Sequence, residues 1–321
     1  MKKPKGFIAL GLAFALGLQS GVLALFSQNY AVPPEGAPIA QELEFTTYCD
    51  IAYQGQLLAV DSQGDDITYT VDTAAKKGTV ELDGTAFIYT PIKGKSGSDR
   101  FTYIAIDSQG NCSAPATVLV NIEKVKSDVT YADTTPVEAA AAQYLAEEGV
   151  FAGTKIGENY YLEPTRTVSR SEFLAMAMEV VGVEIATVSI TSFCDDSNLN
   201  AATKNYVATA VMAGYVQGVP TQDGVAFQGA ETITFSEASA MLSRVLGVED
   251  VDLAVWYGQT VVNHWADQAV GNLEAIDVVA VGSFGSEILE EPLARSQAVV
   301  MLAAAGQYLD SQETGLLDWL F

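Results

Sequence analysis

Val168-Ser169-Arg170-Ser171-Glu172-Phe173 opens a stretch of helical periodicity and returns twice, altered, as Ile233-Thr234-Phe235-Ser236-Glu237-Ala238 and Leu293-Ala294-Arg295-Ser296-Gln297-Ala298. Apolar residues follow each at helical spacing: Phe173, Leu174, Ala177, Met178, Val181; then Ala238, Met241, Leu242, Val245, Leu246; then Ala298, Val299, Met301, Leu302, Ala305. A repeated unit of this length does not bury its apolar face alone, so the three copies are expected to pack together.

Most letters of the motif have a local explanation. Ser169 with Glu172, and Thr234 with Glu237, have the spacing of a capping box, in which hydroxyl and carboxylate each satisfy an orphaned backbone N–H at a helix start. Ala294 in the third copy cannot cap. Arg170 and Arg295 are not explained this way, because a cation in the first turn faces the positive end of the helix dipole. An anionic ligand docked there would be held by the guanidinium fork and the free N–H groups together. A solvated surface arginine is the plain alternative, and the return of the residue in the third copy favours the ligand.

Other landmarks repeat in register. Each copy opens on an aromatic-x-Asp: Tyr131-Ala132-Asp133, Phe193-Cys194-Asp195 and Trp265-Ala266-Asp267. A first helix, at about 136–148, 201–213 and 271–281, then ends on a glycine step: Gly149 to Gly153, Gly214 to Gly218, and a looser Gly282 to Gly285. In this order, three times over, the stretch from about 131 to 305 resembles three S-layer homology modules, whose hallmark is a Thr-Arg-Ala-Glu-like tetrapeptide opening the second helix. The resemblance implies a three-lobed pseudo-trimer in which the first helices form an inner core, the motif helices lie outside, and ligand grooves fall between lobes. It also implies binding of secondary cell-wall polysaccharide, often carrying pyruvate ketals, whose carboxylate matches the electrostatic argument. By position, Arg170 and Arg295 would grip the acid, Ser169 and Glu172 would hold the helix start, and Gly153 and Gly218 would let sugar approach backbone. Asp133, Asp195, Asp267, Thr234 and Glu237 would be structural. The departures limit this to at most two charged grooves, since Phe235 replaces the arginine in the second copy, and Ala294 and Gln297 replace the capping pair in the third.

Residues 1–24 read as an export signal: Lys2, Lys3 and Lys5 precede an apolar run, with Val22-Leu23-Ala24 as a cleavage tripeptide. The apolar stretch extends to Phe26, so an uncleaved anchor is the alternative. The chain carries 16 basic and 40 acidic residues, a formal net charge of −24. Loss of the signal's three lysines makes it more negative still, which excludes nucleic-acid binding through the overall field. The acids are spread along the chain and read as a solvated surface.

After a linker at 25–38, residues 39–124 read as about seven short strands at 43–48, 56–60, 67–72, 79–82, 87–90, 100–106 and 116–122, an antiparallel sandwich. Asp83-Gly84 between two of them is a hairpin signal. The residues Gly55 to Asp65, Lys77-Gly78-Thr79-Val80, Tyr89-Thr90-Pro91 and Phe101-Thr102-Tyr103 resemble bacterial immunoglobulin-like or cadherin-like domains of surface proteins. The Asp61, Asp65, Asp66 loop has two readings, a calcium site and an Asp/Gly turn. No glutamate closes it at the EF-hand spacing, which favours the turn, and no cofactor is expected.

In an exported protein a Cys49–Cys112 bridge is one expectation, both cysteines lying near strand ends of one domain. Cys194, where the other copies carry alanine, is expected to be small and buried. None has zinc spacing. The single histidine, His264, fits packing at a helix start better than base chemistry, and no nucleophile–base arrangement has a recognisable context. Leu316, Leu317, Trp319, Leu320 and Phe321 read as a tail closing the bundle, with a partner-binding peptide as alternative.

The organisation expected is a signal (1–24), linker (25–38), sandwich (39–124) and modules at 125–185, 186–250 and 251–321. The functional expectation is a secreted, non-catalytic protein of the bacterial cell wall and surface. Its S-layer homology modules would bind acidic polysaccharide, with the sandwich as spacer or adhesive head and other surface proteins as further partners. The competing expectation is an assembly module whose degenerate repeats no longer bind glycan.

Overall fold

The computed structural model describes residues 36–257, 264–280 and 287–320, with side chains to 312 except that of residue 287. The export signal, most of the linker, the third glycine step and the side chains of the apolar tail lie outside the described residues. The chain divides into two units, one reaching Lys126 and including Thr135–Ala140, the other comprising Ser127–Thr134 and everything from Ala141 onward.

The first unit is β. Of strands β1 (Ile39–Ala40), β2 (Leu43–Tyr48), β3 (Tyr53–Gln56), β4 (Ala59–Val60), β5 (Thr68–Thr73), β6 (Gly78–Asp83), β7 (Ala86–Pro91), β8 (Gly97–Ile106) and β9 (Ala116–Glu123), seven form two main sheets, ordered β2-β9-β8-β5 and β3-β7-β6, and β1 pairs with β4. Alternation decides the inner faces: Phe101, Tyr103 and Ala105 of β8 and Val118, Val120 and Ile122 of β9 are buried, and they meet Phe45, Leu57, Phe87 and Tyr89. Gly84, at φ 61, makes the tight β6–β7 turn, where Asp83 pairs with Ala86. Asp99 reaches into this core and accepts hydrogen bonds from the N–H groups of Lys76 and Lys77 and the Tyr89 hydroxyl.

Two expectations are corrected here. The sandwich is not wholly antiparallel, because β2 runs parallel to β9 from Leu43 beside Val118 to Tyr48 beside Glu123. That register also separates the cysteines. Cys49 follows the Glu123 end and Cys112 precedes the Ala116 end, so the strand rise sets them roughly 20 Å apart. A disulfide needs Cα atoms within about 7 Å. Both thiols are free, as is Cys194, which is exposed rather than buried.

The second unit is helical: α1 (Ala139–Glu147), α2 (Arg170–Val181), α3 (Ala201–Met212), α4 (Phe235–Leu246), α5 (Leu253–Trp256), α6 (Asp267–Glu274) and α7 (Arg295–Leu320). Between the first and second helix of each of the first two copies stands a small hairpin, β10 (Thr154–Ile156) with β11 (Asn159–Tyr161), and β12 (Val219–Thr221) with β13 (Gly224–Ala226).

The motif segments meet. Val168 N donates to Leu293 O at 3.0 Å, Leu293 N to Ile233 O at 2.9 Å, and Ile233 N to Val168 O at 3.0 Å, a closed ring of three residues that are all buried. A second tier closes the ring in the opposite sense: Arg170 N to Glu231 O, Phe235 N to Glu291 O and Arg295 N to Arg166 O. Pairing these backbone groups with one another satisfies helix-start donors that burial would otherwise orphan.

The expected placement of the helices is reversed. Motif helix α2 packs against α4 and α7, the other two motif helices, as well as against α3. Seven of twelve residues of α2 and nine of twelve of α4 are buried, against three of twelve in α3 and six of eight in α6, so it is the mutual packing of the motif helices that sets them inside. The ring explains this, since it draws their N-termini together.

Candidate functional site

The site is built where one copy's motif helix meets the turn before the next. Ser169 accepts from Glu172 N while Glu172 Oε2 accepts from Ser169 N, and Thr234 and Glu237 do the same, completing both capping boxes. The third copy keeps half a box, with Gln297 Oε1 accepting from Ala294 N at 2.9 Å.

Each capping box leaves one carboxylate oxygen unspent, and arginines take it. Arg170 of the first copy, 7% exposed, donates through Nε to Phe227 O (3.1 Å) and through Nη1 to Glu237 Oε1 (2.9 Å) of the second, with its guanidinium over the Phe227 ring. Arg295 of the third copy, 4% exposed, donates through Nη1 to Leu162 O and Glu163 Oε2 of the first, both at 2.9 Å. Its Nη2 lies 3.9 Å from Glu172 Oε1, and its guanidinium lies over Phe151. The opening aspartates hold the turns on which these arginines rest. Asp133 accepts from Leu162 N and Glu163 N, and Asp195 from Phe227 N and Gln228 N, all at 2.7–2.9 Å. Glu163 and Gln228 are left-handed, at φ 55 and 59, a strain the two-pronged aspartate helps hold.

Arginine and carboxylate therefore run in cyclic order, first copy to second and third to first. From second to third both ends are missing together: Phe235 stands for the arginine and Gln297 for the glutamate. The third clamp is also altered, because Asp267, 5% exposed, accepts from His264 N while its Oδ1 is buried with no partner among the described residues.

Arg166 and Glu163 had no part in the sequence reading. Arg166 donates to Glu172 Oε1 at 2.9 Å and lies 3.6 Å from Glu163, with a side chain 49% exposed. A Glu-x-x-Arg pair in a loop carries no periodic signal, and only its place before the motif marks it.

Gly153 and Gly218 serve the fold rather than sugar on the side where a Cβ would project. There it would lie 2.4 Å from Tyr161 O at Gly153, and 2.3 Å from a Val225 methyl at Gly218, so the missing side chain admits the protein's own hairpin. Burial and the charge on Asp133 push the Tyr131 phenol well above its ordinary range.

In the β unit, Asp61, Asp65 and Asp107 gather their oxygens within 4.8 Å, with Asp107 taking the place expected for Asp66. Loop hydrogen bonds occupy most of these oxygens: Asp61 accepts from Gln63 N, Asp65 from Ser108 and Gln109, and Asp107 from Gln109 N and Asn111. These bonds are those of an Asp/Gly turn, and Asp61 Oδ2 is buried without a partner among the described residues. His264 Nε2 lies 2.7 Å from Glu290, and its Nδ1 accepts from Ala266 N at the start of α6. No described helix is long and apolar enough to cross a membrane.

The bacterial Ig domain family matches residues 35–121, so the β unit is an Ig-like domain. No curated protein matches the chain. Solved structures similar to it include an endo-fucoidan hydrolase of glycoside hydrolase family 107 (24% identity, 30% of this chain and 15% of that one, TM-score 0.25). The D00-D0 domain of Intimin matches at 16% identity (29% and 50%, TM-score 0.24). The fibronectin(III)-like modules of Clostridium thermocellum CbhA match at 15% (33% and 55%, TM-score 0.22). The chain spans only a small part of the fucoidan hydrolase, and at these scores the likenesses carry no argument about activity.

Proposed function

We propose that the chain is a non-catalytic protein of the bacterial surface whose helical unit holds an acidic envelope polysaccharide while the Ig-like domain serves as spacer or adhesive head. The observation that carries the reading is how the buried arginines are held. Arg170 is fixed by its Nε and Nη1 donors, and Nη2 has no hydrogen bond among the described residues. Arg295 is fixed by Nη1, with Nη2 only in ion-pair range of Glu172. A guanidinium fixed through these donors holds Nη2 already oriented, so a ligand carboxylate need not order it. Their positions in the motif resemble those of S-layer homology modules, and bacterial Ig domains are typical of extracellular surface proteins.

The pairing also restrains the reading. Glu237 neutralises Arg170 and Glu163 neutralises Arg295, so recognition rests on directed N–H donors more than on net charge. The same neutralisation favours a second reading, an assembly module in which these pairs only lock the copies together.

Cosedimentation of the purified chain with bacterial sacculi, before and after mild acid that removes ketal pyruvate, separates the two. Retention lost with the pyruvate supports glycan anchoring. Absence of retention on untreated sacculi from several Gram-positive walls sinks it and leaves the assembly module.

A further inference from the structure

The three junctions are not equivalent in charge, and the second tier of the ring gives the alignment. Arg166, Glu231 and Glu291 are counterparts, because their carbonyls accept the N–H groups of Arg295, Arg170 and Phe235 at 2.7, 2.9 and 3.0 Å. From third copy to first, Arg166 and Arg295 balance Glu163 and Glu172. From first to second, Arg170 faces Glu237 with Glu231 exposed at the Arg166 position. From second to third, Phe235 and Gln297 contribute no charge, and exposed Glu291 holds that position. Among the described residues, only the third-to-first junction carries a cation outside the buried pairs.

We propose that this junction is the one anion seat of the helical unit and that Arg166 is its recruiting residue. This rests on the glycan reading above. Arg170 and Arg295 have side chains 8% and 5% exposed and are held by neighbouring copies, so taking either from its carboxylate opens a junction. Arg166 is 49% exposed, and its contact with Glu163 is a 3.6 Å ion pair without a hydrogen bond. Its Nη2 keeps the 2.9 Å hydrogen bond to Glu172 Oε1, so a ligand carboxylate displaces only the Glu163 contact, at small cost, and takes Nη1, with Arg295 Nη2 beside it as the oriented second donor. The ligand class is a polymer bearing isolated carboxylates, one captured per chain.

The test compares wild type, Arg166→Gln, Arg166→Lys and Arg244→Gln for retention on untreated and acid-treated sacculi, with thermal melting of each full chain. Arg244 is an exposed arginine in the last turn of α4 and serves as the control. Arg166→Gln is expected to lose at least tenfold in retention with an unchanged melting temperature, Arg166→Lys to recover part of it, and Arg244→Gln to behave as wild type. Wild-type retention that survives Arg166→Gln overturns the assignment while leaving glycan binding intact. A wild type not retained at all overturns the glycan reading and this seat together.

Discussion

Arg170 Nη1 donates to Glu237 Oε1 at 2.9 Å from a side chain only 8% exposed, so the first copy's cation is neutralised by the second copy's capping glutamate. One carboxylate does two jobs, since Glu237 Oε2 accepts from Thr234 N at 3.1 Å. The helix start and the junction between copies are thereby the same structure.

Breaking that pair from one side should be costly. Removing one partner of a buried ion pair costs about 3–5 kcal/mol, and the 30% exposure of Glu237 places Arg170→Met near the lower end. Adding Glu237→Gln, which keeps the cap acceptor, should recover all but about 1 kcal/mol, the scale of one ordinary hydrogen bond. Urea unfolding of the full chain reads both. A single variant as stable as wild type would show that water reaches and solvates Glu237 once Arg170 is gone.

The paired loss at the second-to-third junction invites restoration. Phe235→Arg alone places a guanidinium where Phe235 is 7% exposed and Gln297 stands in place of the partner glutamate; Gln297→Glu alone returns a capping carboxylate without its arginine. Combined, they should show a favourable coupling of about 1–3 kcal/mol in a double-mutant cycle. Strictly additive melting shifts would break the cyclic alignment on which the site rests.

The aspartate clamps divide in the same way. Asp195→Ala orphans the N–H groups of Phe227 and Gln228, at about 1–3 kcal/mol for each if buried, and loosens the turn under Arg170. Asp267→Asn keeps one oxygen for His264 N and relieves a buried carboxylate oxygen that has no partner among the described residues, so it should be neutral or slightly stabilising. Thermal melting ranks the two variants, and equal losses would mean that Asp267 is clamping a turn as the others do.

Local features were legible in the sequence. The capping boxes were readable because Ser169 and Thr234 each meet a glutamate three residues on, and the sandwich strands because Val118, Val120 and Ile122 alternate. What lay hidden is non-local: Arg170 finds its carboxylate 67 residues away, and β2 pairs with β9 across the whole domain. Three-residue hairpins such as β10–β11 are too short for a period. The placement of the motif helices inside was misread because backbone N–H groups, which carry no side-chain signature, draw them together. One signal was available, though: the arginine and the glutamate of the motif fail in adjacent copies, at Phe235 and Gln297, as two ends of one contact would.

The Ig-like domain should have its own acid limit, set by Asp99. Burial pushes this carboxyl upward, but hydrogen bonds from the Tyr89 hydroxyl and from the N–H groups of Lys76 and Lys77 outweigh it, so its pKa lies below the ordinary carboxylate value. A folded-state pKa below the unfolded value of about 3.9 makes the ionised form the stabilising one. Its contribution is complete above about pH 5 and drains away as the pH falls through the folded value. Asp99→Asn, which cannot ionise, should melt lower than wild type at pH 6, with the gap narrowing toward pH 2.5. Burial pushes Tyr89 far above its ordinary range, so its hydroxyl stays protonated and donating throughout that window. A gap that stays constant from pH 6 to pH 2.5 would show that the Asp99 network stabilises through packing rather than charge.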